Sequence, residues 1–262
     1  MGCNREFEIK PGTTYAFDLD QNGFPTFTKK NVAFVTAIIG YDSNYSLASA
    51  TGNYEEIFAE PEFWDFNKLY EAIVSIDKIN STHLASEGSG VKGGHGREIT
   101  TAFIKEIGGE TLKRRLTNAD PMLVWEIANA VKTKYNFSFA SKFCVYASKH
   151  ALGVDQYCIY DNIVQAVLPY YFYIYVDGEE YRQFYKTKKG GNNESTLNEL
   201  FKQKENKDGY KSYRECVDKI IAGIEKKCGI HLEYKEFDNI LWYCFKGSNL
   251  KVQKAMNCLP KK

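Results

Sequence analysis

Asp120-Pro121, followed by Leu123, Ile127, Ala130 and Val131, is the feature of this 262-residue chain that most limits what it can fold into. Aspartate is a favoured helix N-cap, proline is favoured at the first helical position, and apolar residues at i, i+4, i+7 and i+8 share one helical face. The spacing predicts a helix from 121 to about 134, a short turn at Asn136-Phe-Ser-Phe-Ala140 and a second helix over about 141–151. The result is a helical hairpin at 120–151.

The surrounding pattern is also helical. Phe63, Phe66, Tyr70, Ile73 and Asp77 trace a helix over about 62–80, and further helices are expected near 98–107, 110–116, 195–205, 211–228 and 234–246. Asp161 stands as the N-cap of a helix carrying Ile163, Val164, Val167 and Leu168, and Gly229 as a C-terminal cap. The aromatic run Tyr170–Tyr175 reads as core or strand surface rather than a base-stacking platform, and Thr187–Glu194 as a polar loop. Residues 1–60 are mixed: Asn31–Ile39 fits a strand or a buried helix equally, leaving room for a small β element near the N-terminus. The expected class is mainly α, with an N-terminal mixed segment (1–60) packed on a helical body (61–262).

Composition bounds the function. Apolar runs such as Val32–Gly40 are too short to cross a bilayer, and no charged-then-apolar leader opens the chain, so a cytoplasmic protein with no membrane partner is expected. The seven cysteines, at 3, 144, 158, 216, 228, 244 and 258, include no Cys-x-x-Cys pair, and His83, His95, His150 and His231 lack ligand spacing. Buried free thiols, no metal and no cofactor are the expectation. Asp18-Leu-Asp-Gln-Asn-Gly23 begins like a calcium loop, but Lys29 stands where the bidentate glutamate belongs. Residues 1–100 hold 8 Lys+Arg against 14 Asp+Glu, while 101–262 hold 26 against 19, so a nucleic-acid ligand would favour the later part.

Two residues carry candidate chemistry. Lys142 lies among Phe139, Phe143, Cys144 and Val145, where desolvation would favour the neutral amine that attacks a sugar or carbonyl carbon. Asp161 could stabilise an oxocarbenium-like transition state and assist proton transfer. Each residue also has an ordinary reading, a lysine snorkelling from an amphipathic helix and an aspartate capping one.

Phe137-Ser-Phe-Ala-Ser-Lys142 and Ile159-Tyr-Asp161, in this helical setting, resemble the hairpin-lysine and aspartate positions of the helix-hairpin-helix DNA glycosylases, in particular the 8-oxoguanine DNA glycosylase branch. The likeness covers about 118–170, with the closing Phe237–Gly247 matching more loosely. Where that family places glycines in its hairpin, this chain has Asn136, Phe137, Ser138 and Phe139. The resemblance implies a two-lobed helical fold, DNA with an extrahelical base as partner, and Lys142 and Asp161 as catalytic pair of a DNA N-glycosylase with AP lyase activity. It implies substrate contacts from Phe139, Trp242 and Phe245, and DNA-backbone contacts from Asn136 and Ser138. Lys92 and Arg97 of the Gly-rich stretch 88–97 are further backbone candidates. The alternatives are a non-catalytic nucleic-acid or protein-binding module on the same scaffold, with antiviral defence as a setting, and a helical protein unrelated to DNA.

Overall fold

The structure, a computed structural model, describes residues 16–41, 54–80, 82–86 and 95–262. It is mainly helical. In chain order come α1 (Lys29–Tyr41), α2 (Tyr54–Ala59), α3 (Phe66–Asn80), α4 (Gly96–Ile107), α5 (Gly109–Thr117), α6 (Pro121–Ala128), α7 (Phe137–Leu152) and α8 (Asn162–Tyr175). Then follow β1 (Tyr185–Thr187), β2 (Asn193–Ser195), α9 (Leu197–Leu200), α10 (Gly209–Cys228), α11 (Tyr234–Phe245) and α12 (Asn249–Asn257). No described helix is long and apolar enough to cross a membrane.

Packing divides the chain into two compact units. One comprises Met1–Ser46, Asp161–Leu200 and Glu215–Lys262; the other comprises Leu47–Tyr160 and Phe201–Arg214.

The unit that contains α2 to α7 is built round α7, against which α2, α3, α5 and α6 pack. Asp120 caps α6 as its sequence predicts, accepting from Met122 N at 2.9 Å with Pro121 at the first helical position. The helix nevertheless stops at Ala128 rather than near 134. The Asn129 side-chain amide donates to Trp125 O at 2.9 Å, and Asn136 N donates to Ala128 O at 2.9 Å, so side chain and returning backbone satisfy carbonyls that a longer helix would use. The predicted turn at 136–140 is instead the N-cap and first turn of α7, and the connection is 129–135. An amphipathic pattern continuing through Val131 hid that stop, because Val131 is buried from the connection itself.

In the other unit, α8 packs against α11, α12 and β2. The aromatic run Tyr170–Tyr175 is helical, and α8 passes through Pro169 without ending. Proline costs the helix one backbone hydrogen bond, and the ring contacts beyond it hold the last turn: Phe27 with Tyr171 and Tyr175, and Phe172 with Phe184. Gly223 of α10 lies so close to α8 that a Cβ there would run into the Tyr175 carbonyl.

The two-stranded sheet is not near the N-terminus. β1 and β2 pair antiparallel, Lys186 opposite Glu194, inside the stretch expected to be a polar loop. Among described residues of the first sixty, β pairing is limited to one bridge between Leu19 and Pro25, and Asn31–Ile39 falls within α1. The helix expected over 195–205 is only α9, and α12 had no sequence counterpart.

Candidate functional site

Asn136 fixes the start of the helix that carries Lys142. Its Oδ1 accepts from Phe139 N at 3.2 Å and its Nδ2 donates to Thr82 O at 3.1 Å, so the side chain is buried as a cap and a strut between segments. Lys142 follows in the second turn of α7. It is only 6% exposed, and its Nζ lies 3.4 Å from the Ser138 hydroxyl one turn earlier. Snorkelling to water is therefore not what this lysine does. Phe139 is buried beside it and stacks on Phe143 at 6.3 Å. Burial pushes the Cys144 thiol well up, which suits an inert core thiol rather than a nucleophile.

Tyr157 to Tyr160, just before Asp161, has no regular secondary structure yet is fully buried, so its backbone groups need side-chain partners. Tyr210 of α10 supplies two: its hydroxyl accepts from Cys158 N and donates to Cys158 O, both at 2.9 Å. The Tyr213 hydroxyl donates to Ile159 O at 2.5 Å, and Ser141 Oγ, on α7, accepts from Tyr160 N at 3.0 Å. The Tyr157 hydroxyl donates to Arg115 O at 3.1 Å. Burial raises the Tyr157, Tyr160 and Tyr210 hydroxyls far above their ordinary range, so they stay protonated at any working pH.

Asp161 caps α8 as expected, accepting from Ile163 N at 2.9 Å and Val164 N at 3.0 Å through one oxygen, and is 8% exposed. The boundary between the units falls at the Tyr160–Asp161 peptide bond, so Asp161 belongs to one unit and Lys142 to the other.

Arg97 lies at the first turn of α4 and is held by Asp77. Its Nε and Nη2 approach Asp77 Oδ2 at 2.8 and 2.7 Å, while Asp77 Oδ1 accepts from the Thr82 hydroxyl at 2.6 Å and Leu84 N at 2.8 Å. Burial by itself would raise the Asp77 carboxyl. The hydrogen bonds from Thr82, Leu84 and Arg97, with the Arg97 charge, outweigh it and hold the group below the ordinary carboxylate range. Arg97 is thus an internal ion-pair partner. Lys92, the other cation proposed for this stretch, lies outside the described residues.

Trp242 and Phe245, on α11, belong to the same unit as Asp161. Phe245 is buried against Phe24 and Tyr171, and Trp242 is half-buried with Lys246 Nζ 3.9 Å from its ring centroid. Ser138 is half-buried on α7. The structure thus brings Asn136, Ser138, Phe139 and Lys142 together along the first turns of α7. In the calcium-like stretch, Asp20 accepts from Asn22 N, Phe24 N and the Tyr170 hydroxyl, so its carboxylate is engaged within the protein. No three His, Cys, Asp or Glu side chains among the described residues gather as a metal set.

Sequence reading passed over Asp77, whose place at the end of α3 looked like ordinary helix periodicity, and the supporting trio Ser141, Tyr210 and Tyr213. Tyr210 and Tyr213, three apart at a helix start, were the available signal. It also passed over Trp125 with Lys132, Lys204 and Lys207, where a tertiary contact joins two distant segments. No family model, curated protein or solved structure matches the chain.

Proposed function

We propose that the protein is a DNA N-glycosylase with lyase capacity, on the helix-hairpin-helix glycosylase-like scaffold its sequence resembles, with Lys142 as nucleophile. The supporting observation is an amine withdrawn from solvent in the second helix of a helical hairpin, with the Ser138 hydroxyl among its neighbours. Desolvation disfavours the charged form of an amine, and the neutral amine is the one that attacks carbon.

The nucleotide must leave the base stack for its glycosidic bond to be reached. Lys142 Nζ then bonds to C1′ as the C1′–N bond breaks, and the base departs with the electron pair and takes up a proton. A proton passes from the nitrogen to O4′ as the sugar ring opens, leaving an iminium between Nζ and C1′. Loss of a C2′ proton expels the 3′ phosphate by β-elimination, or water hydrolyses the iminium and restores the amine. The role of Asp161, balancing positive charge and relaying protons, rests on the sequence reading alone.

Borohydride trapping tests the proposal. DNA duplexes bearing oxidised, deaminated, glucosylated or abasic positions should give a reduced covalent adduct with the wild type and none with Lys142→Gln, whose fold is checked by circular dichroism. An equal adduct from the variant overturns the proposal. The rival, a binding module without chemistry, is favoured by one observation: Asp161 and Asn136 both serve as helix caps. It predicts unchanged DNA affinity in Lys142→Gln and no released base from any substrate.

A further inference from the structure

The connection between α6 and α7 meets a second, sequence-distant loop in the same unit. Trp125 Nε1 donates to Lys204 O at 2.9 Å, Lys204 Nζ donates to Lys132 O at 2.9 Å, and Lys207 Nζ stands 5.2 Å from the Trp125 ring centroid. Segments 129–136 and 201–214 together carry seven Lys+Arg against two Asp+Glu. Lys132, Lys204 and Lys207 are exposed, and among the described residues none of them has a carboxylate within ion-pairing distance. Some other exposed lysines of the described surface are neutralised: Lys68 by Glu60, Lys188 by Glu194, Lys219 by Glu180 and Lys226 by Asp177.

Uncompensated like charges repel one another and give the surface a standing attraction for anions. These ammonium groups do not converge on a single point, since Lys204 is directed to a carbonyl and Lys207 to an indole face. That arrangement suits a repeating anion better than one phosphate. The exposed large apolar side chains among the described residues, Phe66 and Leu250, lie on neither segment.

We infer that this two-loop basic surface, with Lys132 and Lys207 as its free charges, binds the phosphodiester backbone of a nucleic acid strand. Lys204 acts as the staple joining the loops, and Trp125 as the platform that places Lys207. The choice of DNA as probe rests on the proposed function; the charge arrangement does not.

The test is fluorescence anisotropy of the full chain with an undamaged duplex of about 30 base pairs across a salt series, where each neutralised phosphate contributes about 0.9 to the slope of log affinity against log salt. Lys132→Gln with Lys207→Gln should flatten the slope by about two, and the corresponding Lys→Arg pair should restore it. A control, Lys188→Gln with Lys219→Gln, should leave the slope unchanged. An unaltered slope in the first variant overturns the inference. So does a folded wild type that binds anionic phosphatidylserine vesicles but not DNA. Trapping on abasic DNA at low salt and saturating substrate is read separately: its failure with an intact salt slope removes the glycosylase proposal and leaves this surface standing.

Discussion

Lys142 and Lys132 belong to one helical hairpin and differ in almost everything that decides what an amine can do. Lys142 is enclosed on α7 with the Ser138 hydroxyl one turn before it, and the helix start before it is anchored by a buried network. Asn136 holds Thr82, Thr82 holds Asp77, and Asp77 holds Arg97. Lys132 stands in solvent on a connection held to its neighbouring loop by Trp125 and Lys204. Residue type alone does not separate a reactive lysine from a gripping one. Burial and the rigidity of the support do.

Changes to chemistry should break that comparison most sharply. In Lys142→Gln, base release should fall by roughly a thousandfold or more, as when other enzymes lose a nucleophile, while duplex affinity and its salt slope stay at wild type. Steady-state release assays beside anisotropy check this; a parallel loss of affinity would mean the two lysines share one role.

The support beneath Lys142 comes next. Asp77→Ala leaves Arg97 without its buried partner and should cost about 3–5 kcal/mol in urea denaturation. The folded-state pKa of Asp77 is lowered, so its contribution is fully present above the unfolded value and is lost as pH falls through the folded one. Asp77→Asn should therefore remove part of the acid-side fall in stability that the wild type shows below about pH 4. Identical acid limbs in the two proteins would contradict this account of the network.

Smaller effects sharpen the contrast further. Tyr213→Phe withdraws the hydroxyl from Ile159 O in a buried, irregular segment and should cost about 1–3 kcal/mol, because the carbonyl is left without that donor. Trp125→Phe removes the indole donation to Lys204 O and leaves a smaller ring beneath Lys207, in an exposed setting, and should cost about 0.5–1.5 kcal/mol. Equal costs in thermal melts would mean that the exposed loop is as firmly built as the segment before Asp161.

Much of the helical order was legible because its signals are local. Asp120-Pro121, Asp161 and Gly229 announce helix ends through their own backbone chemistry, and each stands at an end in the structure. What was illegible depends on partners far along the chain. Asn136 reads as turn because asparagine favours turns, yet its amide reaches Thr82, and that contact makes it a buried cap. The run Tyr170–Tyr175 reads as core or strand surface, but it is the last part of α8, held by rings from Phe27 and Phe184. The candidate lysine was legible as an amine among apolar neighbours. The basic surface was not, because its halves meet only after folding.

The most direct measurement is to locate the borohydride-trapped adduct by mass spectrometry of the digested protein. The account predicts the added sugar-phosphate mass on Lys142 alone. An adduct on Lys132 or Lys207 would contradict it, placing the reactive amine on the surface and leaving Lys142 a buried structural residue.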